Sequence, residues 1–230
     1  MPKKSTVKIF NTISNRYDIM NKLITFGLDI KWRKKVSYYA LKNNPARVLD
    51  LATGTADLAL ELTKINSTIK VYAVDPSKKM LEIALKKILK NKKENQIKII
   101  KSNSEKLPFK SNYFNTITIS FGIRNFSNIH QSLSEIYRVL NKNGNLVILE
   151  TAIPTNIISK IFYKIYISTW FRLIAFIFSN NYKAYSYLIN SSQKFPYDEA
   201  FINILNKKFS NSTFYKLFPG VATIYFCTKK

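Results

Sequence analysis

Between residues 47 and 150, short runs of β-branched and apolar residues alternate with amphipathic stretches of helical period, and this alternation restricts the fold more than any other feature of the chain. A strand that must pass through a helix before the next strand can pair gives a parallel sheet with helices on both faces. Strands are expected at 47–51, 69–74, 96–100, 115–120 and 145–150. In the segment 78–90, Met80, Leu81, Ala84, Leu85, Ile88 and Leu89 recur on one face, and Ser77 is placed to cap the helix. A second helix over 129–140 turns Leu133, Ile136, Tyr137 and Leu140 inward. Toward the end the order changes. Pro196 opens a helix reaching residue 209, and the segments 213–218 and 222–228 flank a Phe-Pro-Gly-Val turn as two antiparallel strands. The expected fold class is α/β, a mostly parallel seven-stranded Rossmann-like sheet ending in an antiparallel strand.

Charge and composition narrow the function. The chain has 37 Lys and Arg against 13 Asp and Glu, a formal charge of +24 that attracts phosphates or anionic lipid. Only six of these cations are Arg; the lysines are spread along the chain beside abundant Ile and Asn, a bias that AT-rich coding sequence produces unaided. No nucleic-acid partner is therefore expected. The competing reading, an RNA-binding or RNA-modifying protein, requires a basic face interleaved with aromatics and binding that falls steeply with salt. The single cysteine, Cys227, excludes an internal disulfide framework and suits the cytoplasm. The single histidine, His130, excludes zinc sites built from several imidazoles; at a helix start it reads as exposed or capping. Residues 1–21 lack the apolar core of a secretory signal.

In a chain with five glycines, Gly54 stands out, because it follows the first strand in Val48-Leu49-Asp50-Leu51-Ala52-Thr53-Gly54-Thr55-Ala56-Asp57. A strand running into a small-residue turn and then a helix is where doubly wound sheets hold a nucleoside. Asp75, at the end of the second strand, can accept both ribose hydroxyls. A dinucleotide fits poorly: the third glycine of the G-x-G-x-x-G pattern is missing, and Asp50 would face a pyrophosphate. S-adenosyl-L-methionine fits better, having ribose and adenine, no phosphate, and cationic groups that acidic neighbours tolerate. Asp50 and Asp75 capping turns in a sheet protein is the plainer alternative.

Several segments go beyond this loop: Arg-Tyr-Asp-Ile-Met-Asn (16–21), Phe-Gly-Leu-Asp-Ile-Lys-Trp-Arg (26–33), Asp-Leu-Ala-Thr-Gly-Thr-Ala-Asp-Leu-Ala (50–59), Asn-Ser-Glu-Lys-Leu-Pro-Phe (103–109), Thr-Ile-Ser-Phe-Gly-Ile-Arg-Asn (118–125) and Tyr-Arg-Val-Leu-Asn-Lys-Asn-Gly (137–144). With them the chain, from Phe10 to Thr228, resembles the quinone-biosynthesis C-methyltransferases, which methylate demethylmenaquinol and the ubiquinol precursor 2-polyprenyl-6-methoxy-1,4-benzoquinol. The resemblance implies S-adenosyl-L-methionine as methyl donor. It places Thr55 in the glycine loop, Asp75 on ribose, Asn103 and Ser104 beside adenine, and Ser120 after the fourth strand, adding to Asp50 and Gly54 as cofactor-binding candidates. Arg124 and Asn125 would face the reacting ring, and Tyr17, with Asp18 and Asn21, would close over it. Arg124, protonated at neutral pH, suits stabilisation of a phenolate, although a structural salt bridge would use it equally well. Asp18 and Asn21 could equally be helix caps. The chain carries Ala56 where the family usually has glycine, a small change if φ is negative there. A degenerate relative that binds the cofactor without turnover is a further alternative.

The chain then divides as one domain, 1–230: an N-terminal helical cap (1–45), a cofactor-binding core (46–152), an inserted helical lid (153–195) and a C-terminal helix and strand pair (196–230). Cap helices are expected at 13–25 and at 30–42, the latter capped by Asp29. Taken as a helix, 157–179 gathers Lys160, Lys164 and Arg172 within about a third of its circumference and leaves the rest apolar. Those cations disfavour a membrane span, whereas a helix of this kind can lie on a bilayer or be buried in the domain. The implied substrate is a polyprenylated quinol, met at the membrane surface by a cytoplasmic enzyme, with homodimerisation left open. Demethylmenaquinol is the preferred quinol and the benzoquinol of the ubiquinone pathway the alternative.

Overall fold

The computed structural model describes residues 4–170, 173–174 and 182–230. Seven strands form one sheet: β1 (Arg47–Leu51), β2 (Lys70–Asp75), β3 (Ile97–Lys101), β4 (Phe114–Ser120), β5 (Leu140–Thr151), β6 (Ser210–Leu217) and β7 (Ala222–Thr228). Their order is β3-β2-β1-β4-β5-β7-β6. The first five are parallel, and β7 pairs antiparallel with both β5 and β6. Strand order reverses between β1 and β4, so the crevice of this sheet opens at the carboxyl ends of those two strands.

The described helices are α1 (Lys4–Ile13), α2 (Tyr17–Ile24), α3 (Leu28–Leu41), α4 (Asp57–Ile65), α5 (Lys78–Lys90), α6 (Ile129–Val139), α7 (Ile157–Ser168), α8 (Tyr182–Lys194) and α9 (Glu199–Leu205). One face of the sheet buries Val48, Val71 and Ala73 against Trp32 and Val36 of α3 and Leu58 and Leu62 of α4. The other buries Leu49, Ile117 and Ile148 against Leu133 and Ile136 of α6 and Phe201 and Leu205 of α9. Alternate residues of one strand thus serve opposite cores, as the two-residue strand period requires.

The strands fall where the apolar runs place them, with two extensions. β5 starts at Leu140 because Leu140 pairs with Phe114 across a register shift. β6 starts at Ser210, and the preceding helix is held to Glu199–Leu205 because Asp198, at φ 53° and ψ −126°, interrupts it after Pro196. Ser77 caps α5 by accepting from Met80 N, and Asn128 caps α6 by accepting from Gln131 N. His130 is exposed. At the cap, the expected helix over 13–25 is α2 alone, preceded by α1 and a 3-10 turn at Ser14–Arg16. Asp29 does not cap α3. Gly27, at φ 74°, occupies that position, while Asp29 sits in the first turn and accepts from Thr25 Oγ1 and pairs with Arg33. Of the lid helix expected over 157–179, α7 is present, whereas Arg172 lies outside the described residues.

Gly122 follows β4 at the crevice, where an added Cβ would stand 2.5 Å from the Ala52 Cβ. Gly122→Ala is expected to destabilise the fold by about 1–3 kcal/mol through overpacking, seen as a lower urea midpoint at unchanged slope.

Candidate active site

The turn after β1 is tight: Ala52, Gly54 and Ala56 all have positive φ, at 58°, 56° and 66°. Glycine adopts this conformation freely, whereas alanine there is strained by about 1–2 kcal/mol. The substitution at position 56 therefore falls on a left-handed residue, where it carries that cost. Asp50 holds the turn from below. Its carboxylate, 1% exposed, accepts from Thr53 Oγ1 at 2.5 Å and Thr118 Oγ1 at 2.9 Å, and it does not line the crevice. Burial, only partly opposed by these hydroxyls, pushes its pKa up to about 6. Thr55 also turns from the crevice, donating to Asp18 Oδ1 at 2.6 Å.

Asp75 sits on the crevice wall. Its Oδ2 accepts from Gly54 N at 2.9 Å and its Oδ1 from Ser77 N at 2.8 Å. Burial pushes this carboxyl up to about 6 as well, against the lowering effect of the two N–H groups. Each oxygen keeps acceptor capacity beyond its one bond. Asn103, Ser104 and Glu105 also line the crevice, as do Ser120 and Asn125. Ser120 Oγ and Glu105 Oε2 are buried with no partner among the described residues. The whole space, counted with its open mouth, is about 690 Å³.

At the other end stands Tyr17, 4.0 Å from where a Cβ on Gly54 would lie. Desolvation raises its pKa further above 10.0, more than Asn21 and the charges of Arg124 and Arg33 lower it, so at neutral pH it is a donor. Arg124 pairs with the fully buried Glu150 and donates to Phe121 O at 2.8 Å, and its buried Nε has no partner among the described residues. Asn125 accepts from Tyr187 OH of α8 at 2.9 Å, which ties α8 to the same segment.

Sequence reasoning missed the roof. Thr6, Val7 and Phe10 of α1 line the crevice, and Asn11 Oδ1 accepts from Ser77 Oγ at 2.7 Å. Beneath the cap, Lys87 of α5 bonds Asp18 Oδ2 at 3.0 Å and Thr55 Oγ1 at 3.2 Å and also pairs with Asp57; Arg33 reaches Asp57 at 3.3 Å. Glu150 was visible as a carboxylate ending an apolar strand, and Glu105 directly followed two residues already singled out. The position of α1 over the crevice had no comparable signal.

This sheet order, with its crevice at β1 and β4, is the class I methyltransferase fold. A sequence profile of the ubiE/COQ5 methyltransferase family matches residues 2–229, and the chain belongs to that family. It is 37% identical over 224 residues to the demethylmenaquinone methyltransferase of Thermotoga maritima, covering 97% of this chain and 95% of that one. It is likewise 37% identical to the ubiquinone/menaquinone biosynthesis C-methyltransferase UbiE of Wigglesworthia glossinidia brevipalpis, over 96% of this chain and 89% of that one. Among solved structures, a putative S-adenosyl-L-methionine-dependent methyltransferase from Methanococcus maripaludis superposes at a TM-score of 0.66, with 20% identity, over 96% of this chain and 93% of that one. The protein is a methyltransferase whose methyl donor is S-adenosyl-L-methionine. The crevice suits that donor: among the described residues Ser120 and Glu105 keep unpartnered oxygens, Asp75 and Glu105 make its wall acidic, and no Lys or Arg lines it.

Asp75 is expected to bind best when ionised. Affinity for S-adenosylhomocysteine, followed by calorimetry, should fall about tenfold per pH unit below about pH 6. Asp75→Asn should flatten that profile and cost about 1.5–3 kcal/mol of binding at neutral pH. For folding the dependence runs the other way. With both folded pKa values near 6 against 3.8, the contribution of Asp50 and Asp75 to stability is complete below about pH 4 and is lost as pH rises through 6, at most about 3 kcal/mol each.

Proposed function

We propose that this enzyme transfers a methyl group from S-adenosyl-L-methionine to a ring carbon of demethylmenaquinol. The observation that carries this reading is the near full-length similarity to the Thermotoga maritima enzyme, which extends beyond the sheet into the cap and the lid. The benzoquinol of the ubiquinone pathway is the second reading, favoured by the equal identity to UbiE of Wigglesworthia.

The bound donor supplies an electrophilic methyl on a sulfonium, and the quinol carbon becomes nucleophilic as a ring hydroxyl loses its proton. The protein then has to orient the ring and stabilise the oxyanion. Asp75 is assigned to the ribose hydroxyls, and Ser120 to the donor beside the reacting end. Arg124, whose guanidinium is committed to Glu150 and Phe121 O outside the crevice lining, is assigned to the oxyanion through its permanent positive charge. Tyr17 donates from the cap, and Asn125, positioned by Tyr187, orients the ring. Asp50 and Thr55 act on the donor indirectly, by holding the turn that presents Gly54 N. In this reading residues 1–45 are the cap and 153–195 the lid over the core.

The quinol's isoprenoid tail requires an apolar approach. Ile157, Ile161 and Ile165 follow one line along α7 and are 52–69% exposed, beside the exposed Lys160 and Lys164. A shallow groove next to them is lined by Ile19, Lys22, Leu23, Phe26 and Trp170. Among the described residues no helix is long and apolar enough to cross a membrane. We assign this surface to peripheral contact with an anionic bilayer.

Incubation with labelled donor and short-tailed naphthoquinol or benzoquinol, followed by mass analysis, tests the reading. A C-methylated naphthoquinol is expected; transfer to oxygen, or to neither quinol, would overturn it. Arg124→Lys is expected to lower kcat by about 100-fold, the order seen on removing an oxyanion donor, with donor affinity unchanged. In sedimentation with phosphatidylglycerol vesicles, the double variant Ile161→Glu, Ile165→Glu is expected to leave the protein in the supernatant, while the unaltered protein pellets.

A further inference from the structure

The segment 153–195 follows β5 and precedes α9, and the chain at both of its ends rests on the hairpin of β6 and β7. At the first end Ala152 N donates to Val221 O at 2.9 Å, and Pro154 Cβ lies 3.7 Å from where a Cβ on Gly220 would stand. Just beyond the other end, Asp198 holds the N-cap position of α9 at φ 53° and ψ −126°, a conformation that a residue with a Cβ keeps only under constraint. Its carboxylate makes no bond to the helix it precedes, although aspartate is among the best capping residues. It turns to the sheet instead. Oδ1 accepts from Thr223 Oγ1 at 3.2 Å, Oδ2 lies 2.8 Å from Lys216 Nζ, and the Asp198 N–H donates to Tyr225 OH at 2.7 Å. Lys216 and Thr223 stand opposite each other across β6 and β7, so the register of the hairpin fixes both contacts to the carboxylate.

Lys216 Nζ also donates to Thr155 Oγ1 at 3.0 Å. An ammonium has three protons to give and nothing to accept, so one lysine serves both oxygens and bridges the two ends of the segment. The Asp198 side chain is 10% exposed, and among the described residues Lys216 is the one cation paired with it. Toward the crevice the same segment carries Tyr187 of α8, whose hydroxyl donates to Asn125 Oδ1. Resting on the reading of 153–195 as a lid and of a quinol as acceptor, we propose that Lys216 is a positioning residue for methyl transfer: by bridging Thr155 and Asp198 it closes the neck of the lid and holds Tyr187 on Asn125, the residue that orients the ring. Lys216 lies on the last strand of the sheet and does not line the crevice, so its effect on the acceptor passes through the lid.

Initial rates are measured on the full chain with S-adenosyl-L-methionine and the short-tailed quinol that the unaltered protein methylates. Binding of S-adenosylhomocysteine is followed by calorimetry and folding by thermal unfolding. Lys216→Met is expected to lower kcat/KM for the quinol about tenfold with the affinity for S-adenosylhomocysteine unchanged. Lys216→Arg, which keeps a bridging cation, should restore kcat/KM to within about twofold. Tyr187→Phe should match the loss in Lys216→Met, and the double variant should lose no more than either, because both interrupt one path. Thr155→Val removes one arm of the bridge without unpairing a charge; it is expected to cost about threefold, with no further fall in the Tyr187→Phe background. The inference is overturned if Lys216→Met leaves kcat/KM unchanged, if it weakens donor affinity by the same factor, or if its loss multiplies with that of Tyr187→Phe. Should Lys216→Met fail to fold, Thr155→Val with and without Tyr187→Phe decides in the same way. If the unaltered protein methylates neither quinol, the acceptor reading falls by itself and the neck is tested by chymotryptic cleavage. Cleavage within 153–195 should run about tenfold faster in Lys216→Met at an unchanged rate within 46–152, and equal rates in the two proteins would overturn the inference.

Discussion

The crevice depends on the two hydrogen bonds that Asp75 accepts, from Gly54 N and Ser77 N. They join the turn after β1 to the start of α5 through a buried carboxylate at the end of β2. Without them the left-handed turn at Gly54 would have nothing to hold its N–H, and Ser77 would lose the backbone position from which it caps α5 and reaches Asn11 of α1. One carboxylate thus sets the turn, the helix start and, through Ser77, the roof. Asp50 does the equivalent work underneath, between the turn and β4. Both acids are buried strongly enough to resist ionisation, and of the two only Asp75 faces the crevice where a cationic ligand is to sit.

The sheet was legible because its strands read as apolar runs broken by turn residues, and parallel pairing follows once helices intervene. The crevice followed from Gly54 and Asp75 for the same reason, since the strand-turn-helix pattern is local. What the residues could not reveal was the direction of side chains. Asp50 and Thr55 neighbour Gly54 in sequence but turn toward Thr118 and Asp18, away from the crevice. Glu105 was passed over although it lay in a segment already quoted, because only the fold shows one of its oxygens committed and the other not. Phe10 and Asn11 come from an amphipathic helix ahead of the first expected cap helix, and its residues alone do not say over what it folds.

The excess of positive charge also reads differently in three dimensions. Where α2 and α3 meet α4 and α5 a few cations are spent internally: Lys87 links Asp18, Asp57 and Thr55, and Arg33 links Asp29 and Asp57. Apart from the buried Asp29 these groups are partly exposed, so each pair is worth little alone, but together they clasp α2 and α3 to α4 and α5. Lysines of α7 stand instead beside exposed isoleucines, where a basic and apolar surface suits a lipid boundary.

The clasp bears on the tempo of the enzyme. Since α1 roofs the crevice and is pinned by Asn11 to Ser77, while α2 is pinned by Asp18 to Thr55 and Lys87, a spent nucleoside leaves only after those polar contacts part. Product release past α1 would then be slowed by strengthening those contacts, without any change in the displacement at carbon.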